Sequence, residues 1–102
     1  MTERTWSEIE SEHTSGCYPK RPLTLVRGEG VWVWDDAGRR YLDCTSGQCV
    51  ALIGHAHPAV AAAVAQQAAT LIACPEIFHN DRRAALLARL TGLAPAGLTR
   101  AF

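Results

Sequence analysis

The chain has little of the features that mark several common classes of protein. Its 102 residues contain one lysine, and ten basic and ten acidic side chains leave a formal net charge of zero. This balance gives no electrostatic reason to expect a nucleic-acid partner or a polybasic membrane anchor. No apolar run approaches the roughly 20 residues that a membrane span needs, and the acidic N-terminus does not have the pattern of a secretory signal. We therefore expect a cytoplasmic protein without nucleic-acid or membrane partners.

The four cysteines do not form the pairs that disulfide scaffolds and zinc sites use. No two of them make a Cys-x-x-Cys motif, and we expect reduced thiols because a disulfide framework needs an oxidising compartment. Cys44 and Cys49 could be combined with His55 and His57, but this spacing does not match the paired ligands of zinc sites. We predict no metal ligand, and a small metal-binding protein stays as an alternative hypothesis.

The stretch from residue 23 to residue 44 has the composition of an antiparallel β meander. β-Branched and aromatic residues are typical of strands, and three such runs follow one another: Leu23–Val26, Val31–Trp34 and Arg39–Cys44. Gly28 and Gly30 predict a turn between the first two strands, and Asp35–Gly38 predicts the second turn. Residues 45–57 have no helical period, so we predict a loop with a short extended stretch at Val50–Ile53.

Helices are predicted on both sides of this meander. A short amphipathic turn is expected around Thr5–Glu12. Pro58 can begin a helix, which an apolar stripe continues to residue 73: Val60, Val64, Ala68, Leu71 and Ile72. A second helix is expected to begin at Asn80 or Asp81 and to bury Leu86, Leu87, Leu90, Leu93 and Ala94. Two helices and one meander give a thin core, so we expect the chain to be part of something larger.

No complete catalytic constellation can be assembled from these residues. Ser46-Gly47 lacks the preceding glycine of a nucleophile elbow, and the only lysine, Lys20, lies outside any Gly-x-x-x-x-Gly-Lys phosphate loop. Gly28-Glu29-Gly30 precedes a strand, whereas a dinucleotide-binding turn opens a helix. His57 is expected to satisfy free backbone N–H groups at the start of the helix that begins at Pro58.

A series of short motifs nevertheless resembles one known family. The motifs stand in this order: Val26–Gly30, Val33–Asp35, Gly38, Tyr41–Asp43, Ser46-Gly47 and Gly54–Pro58. The series is similar to the N-terminal subdomain of class III aminotransferases, which depend on pyridoxal phosphate, and it covers the chain from about Glu12 to Phe102. The acetylornithine/ornithine branch is the most similar. Glu12–Gly16 with Tyr18 and Cys44 also resembles relatives that act on carrier-protein-bound aminoadipate semialdehyde.

The resemblance implies an α/β fold, the N-terminal part of the small domain of a fold-type I aminotransferase. This part is an antiparallel β meander followed by two helices and is incomplete as a domain. The implied segments are an arm and loop at 1–22, the meander and active-site loop at 23–57, and two helices at 58–102 that lead into a large domain. Loops around Tyr18 and Ser46–Val50 would line the substrate mouth, so the substrate-binding candidates are Tyr18, Ser46, Gly47, Gln48 and Cys49. Gln48 stands where relatives often carry an aromatic or aliphatic residue, which favours a polar substrate tail.

The resemblance also implies groups that the chain does not contain. The family's phosphate loop, its acidic partner of the pyridine nitrogen and its Schiff-base lysine all follow the position of Phe102, and Lys20 lies too early to be that lysine. We therefore predict no catalytic and no cofactor-binding residue here, and we expect the isolated chain to be inactive. The parent is expected to be a homodimer that uses pyridoxal phosphate to move an amino group between an ω-amino or basic amino acid and 2-oxoglutarate. The alternative is a non-catalytic binding or dimer-interface module.

Overall fold

The computed structural model describes residues 4–102 and arranges the chain in two compact units. The first unit extends to Ala63, and the second runs from Val64 to Phe102. In chain order the elements are α1 (Trp6–His13), β1 (Leu25–Glu29), β2 (Trp32–Asp35), β3 (Arg40–Leu42), the four-residue turn α2 (Ser46–Cys49), α3 (Pro58–Ala68) and α4 (Asp81–Leu93). The predicted α/β arrangement, a meander followed by two helices, is confirmed.

Helix α1 begins with a complete capping box. The hydroxyl of Thr5 accepts a hydrogen bond from the N–H of Glu8, and the Glu8 carboxylate accepts one from the N–H of Thr5 at 2.8 Å. These two bonds satisfy N–H groups that the start of a helix leaves unpaired. The bond from the Thr5 backbone also lowers the pKa of Glu8. The amphipathic turn predicted around Thr5–Glu12 is therefore a capped helix.

Strands β1, β2 and β3 form one antiparallel sheet in that order. β1 starts two residues later than the sequence predicts and continues through Gly28, so the turn that follows is confined to Gly30 and Val31. Gly30 has a φ of 56°, a value that glycine adopts without steric cost. The second predicted turn is confirmed, and in it the N–H of Gly38 donates to the Asp35 carbonyl at 3.0 Å.

The central strand β2 has one buried face, which carries Val33 and Asp35, and one half-buried face covered by cations. Val33 lies on the buried face, and alternation along the strand places Trp32 and Trp34 on the other. The guanidinium of Arg27 lies over the ring of Trp34, and that of Arg40 lies over Trp32, each 4.2 Å from the ring centroid. These cation–π contacts shield the half-buried indoles while leaving the arginine heads in water.

Asp35 is a buried carboxylate that organises the β2–β3 hairpin. One oxygen accepts the N–H groups of Ala37 at 3.1 Å and Arg39 at 2.8 Å. The other accepts Arg39 Nε at 2.7 Å and the Tyr41 hydroxyl at 2.9 Å. Burial raises the pKa of Asp35, but the hydrogen bonds from Arg39 and Tyr41 outweigh burial and hold that pKa below its usual value. The sequence assigns Asp35 to a turn and gives no hint of this network.

The two C-terminal helices match the predicted elements with one change of length. Helix α3 begins at Pro58 as predicted but ends at Ala68, before the predicted end at residue 73. The N–H of Thr70 bonds to the carbonyl of Gln67, three residues back, at 3.0 Å. The N–H of Leu71 bonds to the same carbonyl at 2.9 Å, so Gln67 accepts both bonds of the closing turn. Helix α4 begins where predicted, because the Asn80 side chain accepts the N–H of Arg83 at 2.9 Å.

The apolar stripes of α3 and α4 are largely uncovered. Among residues 4–102, Val33 is the only buried hydrophobic side chain. Most residues of the two predicted stripes are between 46% and 86% exposed: Val60, Val64, Leu71, Ile72, Leu86, Leu90 and Leu93. The expectation that α4 buries its apolar face is wrong for Leu86, Leu90 and Leu93, whereas Leu87 and Ala94 are half-buried. None of the described helices combines the length and the apolarity that crossing a membrane requires.

Candidate functional site

The segment from Asp43 to His55 forms a loop whose two ends are anchored on the turn between β1 and β2. At its start, the N–H of Asp43 donates to the carbonyl of Val31 at 2.9 Å. At its end, His55 and Gly30 exchange two backbone hydrogen bonds of 2.8 and 2.9 Å. A Cβ placed on Gly54 would come within 3.0 Å of the Gly30 Cα, so this return requires glycine at position 54. The loop is therefore tied to the sheet at both ends.

The turn α2 at the tip of this loop is left-handed. Its four residues, Ser46 to Cys49, have φ values of 50°, 58°, 63° and 64°. A left-handed helical conformation costs about 1–2 kcal/mol for each residue that carries a Cβ, so three such residues cost about 3–6 kcal/mol. Backbone strain of this kind concentrates at functional sites. The extended stretch predicted at Val50–Ile53 is wrong, because the N–H of Gly54 bonds back to the Ala51 carbonyl in a turn.

Asp43 holds the start of the left-handed turn with both of its carboxylate oxygens. Oδ1 accepts the N–H and the hydroxyl of Thr45 at 2.9 and 2.8 Å and the N–H of Ser46 at 2.9 Å. Oδ2 lies 2.7 Å from Nε2 of His55. The bond to His55, together with the bonds from Thr45, holds the pKa of Asp43 well below its usual range. The ionised carboxylate only accepts hydrogen bonds, so Nε2 of His55 is the donor.

Gly28 provides the space that the imidazole of His55 occupies. A Cβ on Gly28 would lie 2.7 Å from both Cβ and Cγ of His55, a separation that real Cβ atoms essentially never show. Glycine inside a strand often marks such a close approach. The physical reason for Gly28 is thus the packing of His55 against β1, whereas the sequence predicts a turn there.

Four of the five predicted substrate-binding residues lie together on the left-handed turn: Ser46, Gly47, Gln48 and Cys49. Ser46 is half-buried, and the other three are exposed. Within residues 4–102 the Gln48 amide makes no hydrogen bond, so it is available to a ligand. Tyr18 lies on the irregular stretch between α1 and β1 and is 81% exposed. No hydrogen bond within the described chain joins Tyr18 to the turn.

Asp43 and His55 belong to this site, although neither is among the substrate-binding residues that the sequence predicts. The sequence carries a weak signal for Asp43. An aspartate side chain can accept hydrogen bonds from the backbone N–H groups of the residues that follow it, here Thr45 and Ser46. The pairing with His55, twelve residues away, has no sequence signal. His57 is expected from the sequence to satisfy free N–H groups at the start of α3. In the structure the backbone carbonyl of His57 accepts the N–H of Ala61 at 3.0 Å.

The described residues do not fit a metal ion or pyridoxal phosphate. Within residues 4–102, no group of three His, Cys, Asp or Glu side chains is placed to hold a metal. The only lysine, Lys20, is about half exposed, and its Nζ lies 2.6 Å from the carboxylate of Glu10. The adjoining cleft of about 390 Å³ is also lined by Glu8 and Glu10. Arg21 lines the cleft as well, so its two cations are balanced by two carboxylates and leave no excess positive charge for a phosphate.

Comparison with known proteins places these features in context. Residues 16–102 match the sequence model of the family described as aminotransferase class-III. The LysW-aminoadipate semialdehyde transaminase of Deinococcus radiodurans is 45% identical over 97 residues, which are 95% of this chain and 23% of the relative. The acetylornithine aminotransferase of Nitrosomonas europaea is 44% identical over 90 residues, 88% of this chain and 22% of the relative.

Solved structures show the same fold. The crystal structure of an acetylornithine aminotransferase from Elizabethkingia anophelis matches with a TM-score of 0.81 and 34% identity, covering 85% of this chain and 23% of that one. The structure of the ornithine delta-aminotransferase from Plasmodium falciparum matches with a TM-score of 0.81 and 33% identity, covering 86% and 23%. The chain therefore spans about a quarter of the length of these relatives.

Proposed function

Because this chain belongs to the class-III aminotransferase family, we propose that it forms the N-terminal segment of an enzyme that moves an amino group between an amino acid and a keto acid. The names of the relatives support an ω-amino or basic amino acid, of the acetylornithine, ornithine or aminoadipate-semialdehyde type, as the donor side. We take 2-oxoglutarate as the acceptor and a homodimer as the complete assembly. Residues 1–22 then serve as the arm, 23–57 as the meander with the active-site loop, and 58–102 as helices that lead into a large domain.

One observation supports this role above the others. The left-handed turn at Ser46–Cys49 is strained, exposed and held by a hydrogen-bond network at its base. Strain persists where surrounding contacts over-determine it, and such positions cluster at ligand sites. The unpaired amide of Gln48 can both donate and accept a hydrogen bond. We therefore assign to this turn the recognition of a polar substrate tail, with Tyr18 joining it from the arm.

The proposed role is recognition of the amino donor rather than the chemical step. In this family pyridoxal phosphate supplies the electron sink for amino transfer, and a lysine elsewhere in the enzyme must hold it. Lys20 does not fit that task, because its amine is paired with Glu10 at the surface. Our proposal is accordingly that residues 4–102 bind and orient the donor, and that the isolated chain does not transaminate.

A chimeric enzyme tests this function. This chain replaces the segment that it matches in the acetylornithine aminotransferase of Nitrosomonas europaea. We expect the chimera, loaded with pyridoxal phosphate, to catalyse 2-oxoglutarate-dependent transamination of acetylornithine or ornithine, and we expect no activity from the 102-residue chain alone. A chimera that folds and binds the cofactor but turns over neither amino donor contradicts the proposal.

A second candidate is a non-catalytic binding or dimer-interface module, favoured by the uncovered stripes on α3 and α4. Large exposed apolar patches mark interaction surfaces, and Val64 and Leu86 are about 60% exposed on their helices. On this hypothesis the chain self-associates, and Val64→Ser together with Leu86→Ser shifts its sedimentation coefficient to that of a monomer. A monodisperse wild-type monomer with a cooperative thermal transition contradicts it.

A further inference from the structure

The pair Asp43–His55 connects the rigid part of the meander to the turn that carries Gln48. On one side, His55 packs against Gly28 and exchanges two backbone hydrogen bonds with Gly30. On the other side, Asp43 binds the N–H of Ser46, the first residue of the left-handed turn. The 2.7 Å bond from His55 Nε2 to Asp43 Oδ2 joins the two halves. His55 is therefore linked to the start of the turn through Asp43.

The turn needs this outside support. Its internal bonds, from the N–H groups of Cys49 and Val50 to the carbonyls four residues back, are 2.9 Å long. A right-handed turn makes bonds of the same kind without the cost of about 3–6 kcal/mol that three left-handed non-glycine residues carry. In addition, the N–H of Ala51 donates to the Ser46 carbonyl at 2.9 Å, and the Asp43 carboxylate fixes the peptide between Thr45 and Ser46 at which the turn begins. Because the Gln48 amide has no partner within residues 4–102, the backbone of the turn alone sets its position.

We propose that Asp43 and His55 form a positioning pair that determines which amino donors the turn accepts. This inference rests on the proposed function of the turn as a substrate-binding element. It assigns His55 a role in selectivity, although His55 acts through Asp43 and the backbone and is not a catalytic residue. The substrates concerned are amino acids whose polar tail hydrogen-bonds to the Gln48 amide.

The first test measures the turn in the full 102-residue chain. A positive φ brings the amide and α hydrogens of one residue close together, so Ser46, Gln48 and Cys49 should each give a strong intraresidue NOE. His55→Leu keeps the bulk of the side chain but removes the donor, and we expect these NOEs to weaken. His55→Gln places an amide nitrogen the same number of bonds from Cβ as Nε2, and we expect it to retain them. His79→Leu, at an exposed histidine in the second unit, is the matched control and should change nothing.

The second test measures how strongly the chimera described above recognises its amino donor. A lost hydrogen bond to a charged group commonly corresponds to about tenfold or more in an equilibrium constant. We therefore expect His55→Leu to raise the KM for the amino donor by about tenfold with little change in kcat, and His55→Gln to restore most of the loss. The KM for 2-oxoglutarate should stay within about twofold, because the keto acid does not depend on the same side-chain tail contact. A merely structural defect lowers active enzyme and kcat and leaves both KM values unchanged.

The two tests separate this inference from the proposed function. If the NOEs are absent from the wild-type chain or persist in His55→Leu, the positioning role is overturned whatever the chimera does. If the NOEs behave as expected but the wild-type chimera is inactive, the proposed function fails and the positioning of the turn stands. If the chimera is active and His55→Leu changes kcat alone, the selectivity role is overturned.

Discussion

Replacing Gly28 by alanine should disturb the site from a distance, through His55. The added Cβ would lie 2.7 Å from Cβ and Cγ of His55 and 3.1 Å from its Nδ1. The contact involves the Cβ of His55 as well as its ring, so rotation of the side chain does not relieve it. The segment around His55 must shift away from β1, and its hydrogen bond to Asp43 then lengthens or breaks.

The expected loss of stability in Gly28→Ala can be compared with the effect of the same substitution at a second glycine. Forcing extra atoms into a packed site costs about 1–3 kcal/mol, so Gly28→Ala should destabilise the chain by that amount. Gly92 lies inside α4, and a Cβ placed there meets nothing within 4 Å. Alanine is more favourable than glycine in a helix by about 0.5–1 kcal/mol, so Gly92→Ala should stabilise. The same substitution thus has opposite signs at the two positions.

Thermal and denaturant unfolding, followed by far-UV circular dichroism and tryptophan fluorescence, measure this difference. One kcal/mol corresponds to about 4–8 °C in Tm for a domain of this size, so Gly28→Ala should lower Tm by at least about 4 °C while Gly92→Ala raises it. Gly28→Ala should also weaken the intraresidue NOEs of Ser46–Cys49. An unchanged Tm in Gly28→Ala, or the same sign for both variants, refutes the close packing of His55 against β1.

Three further predictions concern other features. In the chimera, Gln48→Tyr should change the ratio of kcat/KM between acetylornithine and ornithine by about tenfold. A ratio that is the same in the variant and in the unsubstituted chimera contradicts a selectivity role for Gln48. Asn80→Ala should destabilise α4 by about 1 kcal/mol, while Asn80→Ser retains most of the cap. The helix content of each variant at low denaturant concentration measures this difference. Because the folded-state pKa of Asp35 and of Asp43 lies below the usual aspartate value of 3.8, their stabilisation is present above that pH and is lost as the pH falls below it towards the folded-state pKa. Tm should therefore decrease from pH 5 to pH 3 at constant salt, and a flat profile contradicts both networks.

The elements that the sequence predicts well depend on local signals. Asn80 as a helix cap, Pro58 at the first helical position and Gly38 in a hairpin turn each act within a few residues, and the structure confirms all three. The β-branched and aromatic residues of Val31–Trp34 likewise predict a strand, which the structure places at Trp32–Asp35. The sequence-based prediction is wrong where a residue far away in the sequence determines the local structure. At Gly28, the packing of His55 requires glycine, whereas the sequence predicts a turn.

The candidate site is only partly predictable for the same reason. Only the resemblance to a family points to Ser46–Cys49, and no composition or period predicts four successive left-handed residues. The hydrogen bond at the base of the turn joins Asp43 and His55, which are twelve residues apart and give no local signal. The exposure of the helix stripes is similar, because an amphipathic pattern predicts which face is apolar but not which partner covers it.

A crystal structure of the chimera with a bound amino donor tests the central claim most directly. The account predicts that the Gln48 amide lies within about 3.2 Å of a polar atom of the donor's tail, that Ser46–Cys49 keep their positive φ values, and that His55 remains bonded to Asp43. A donor bound in the active site with no atom of Ser46–Cys49 within about 4 Å contradicts the account.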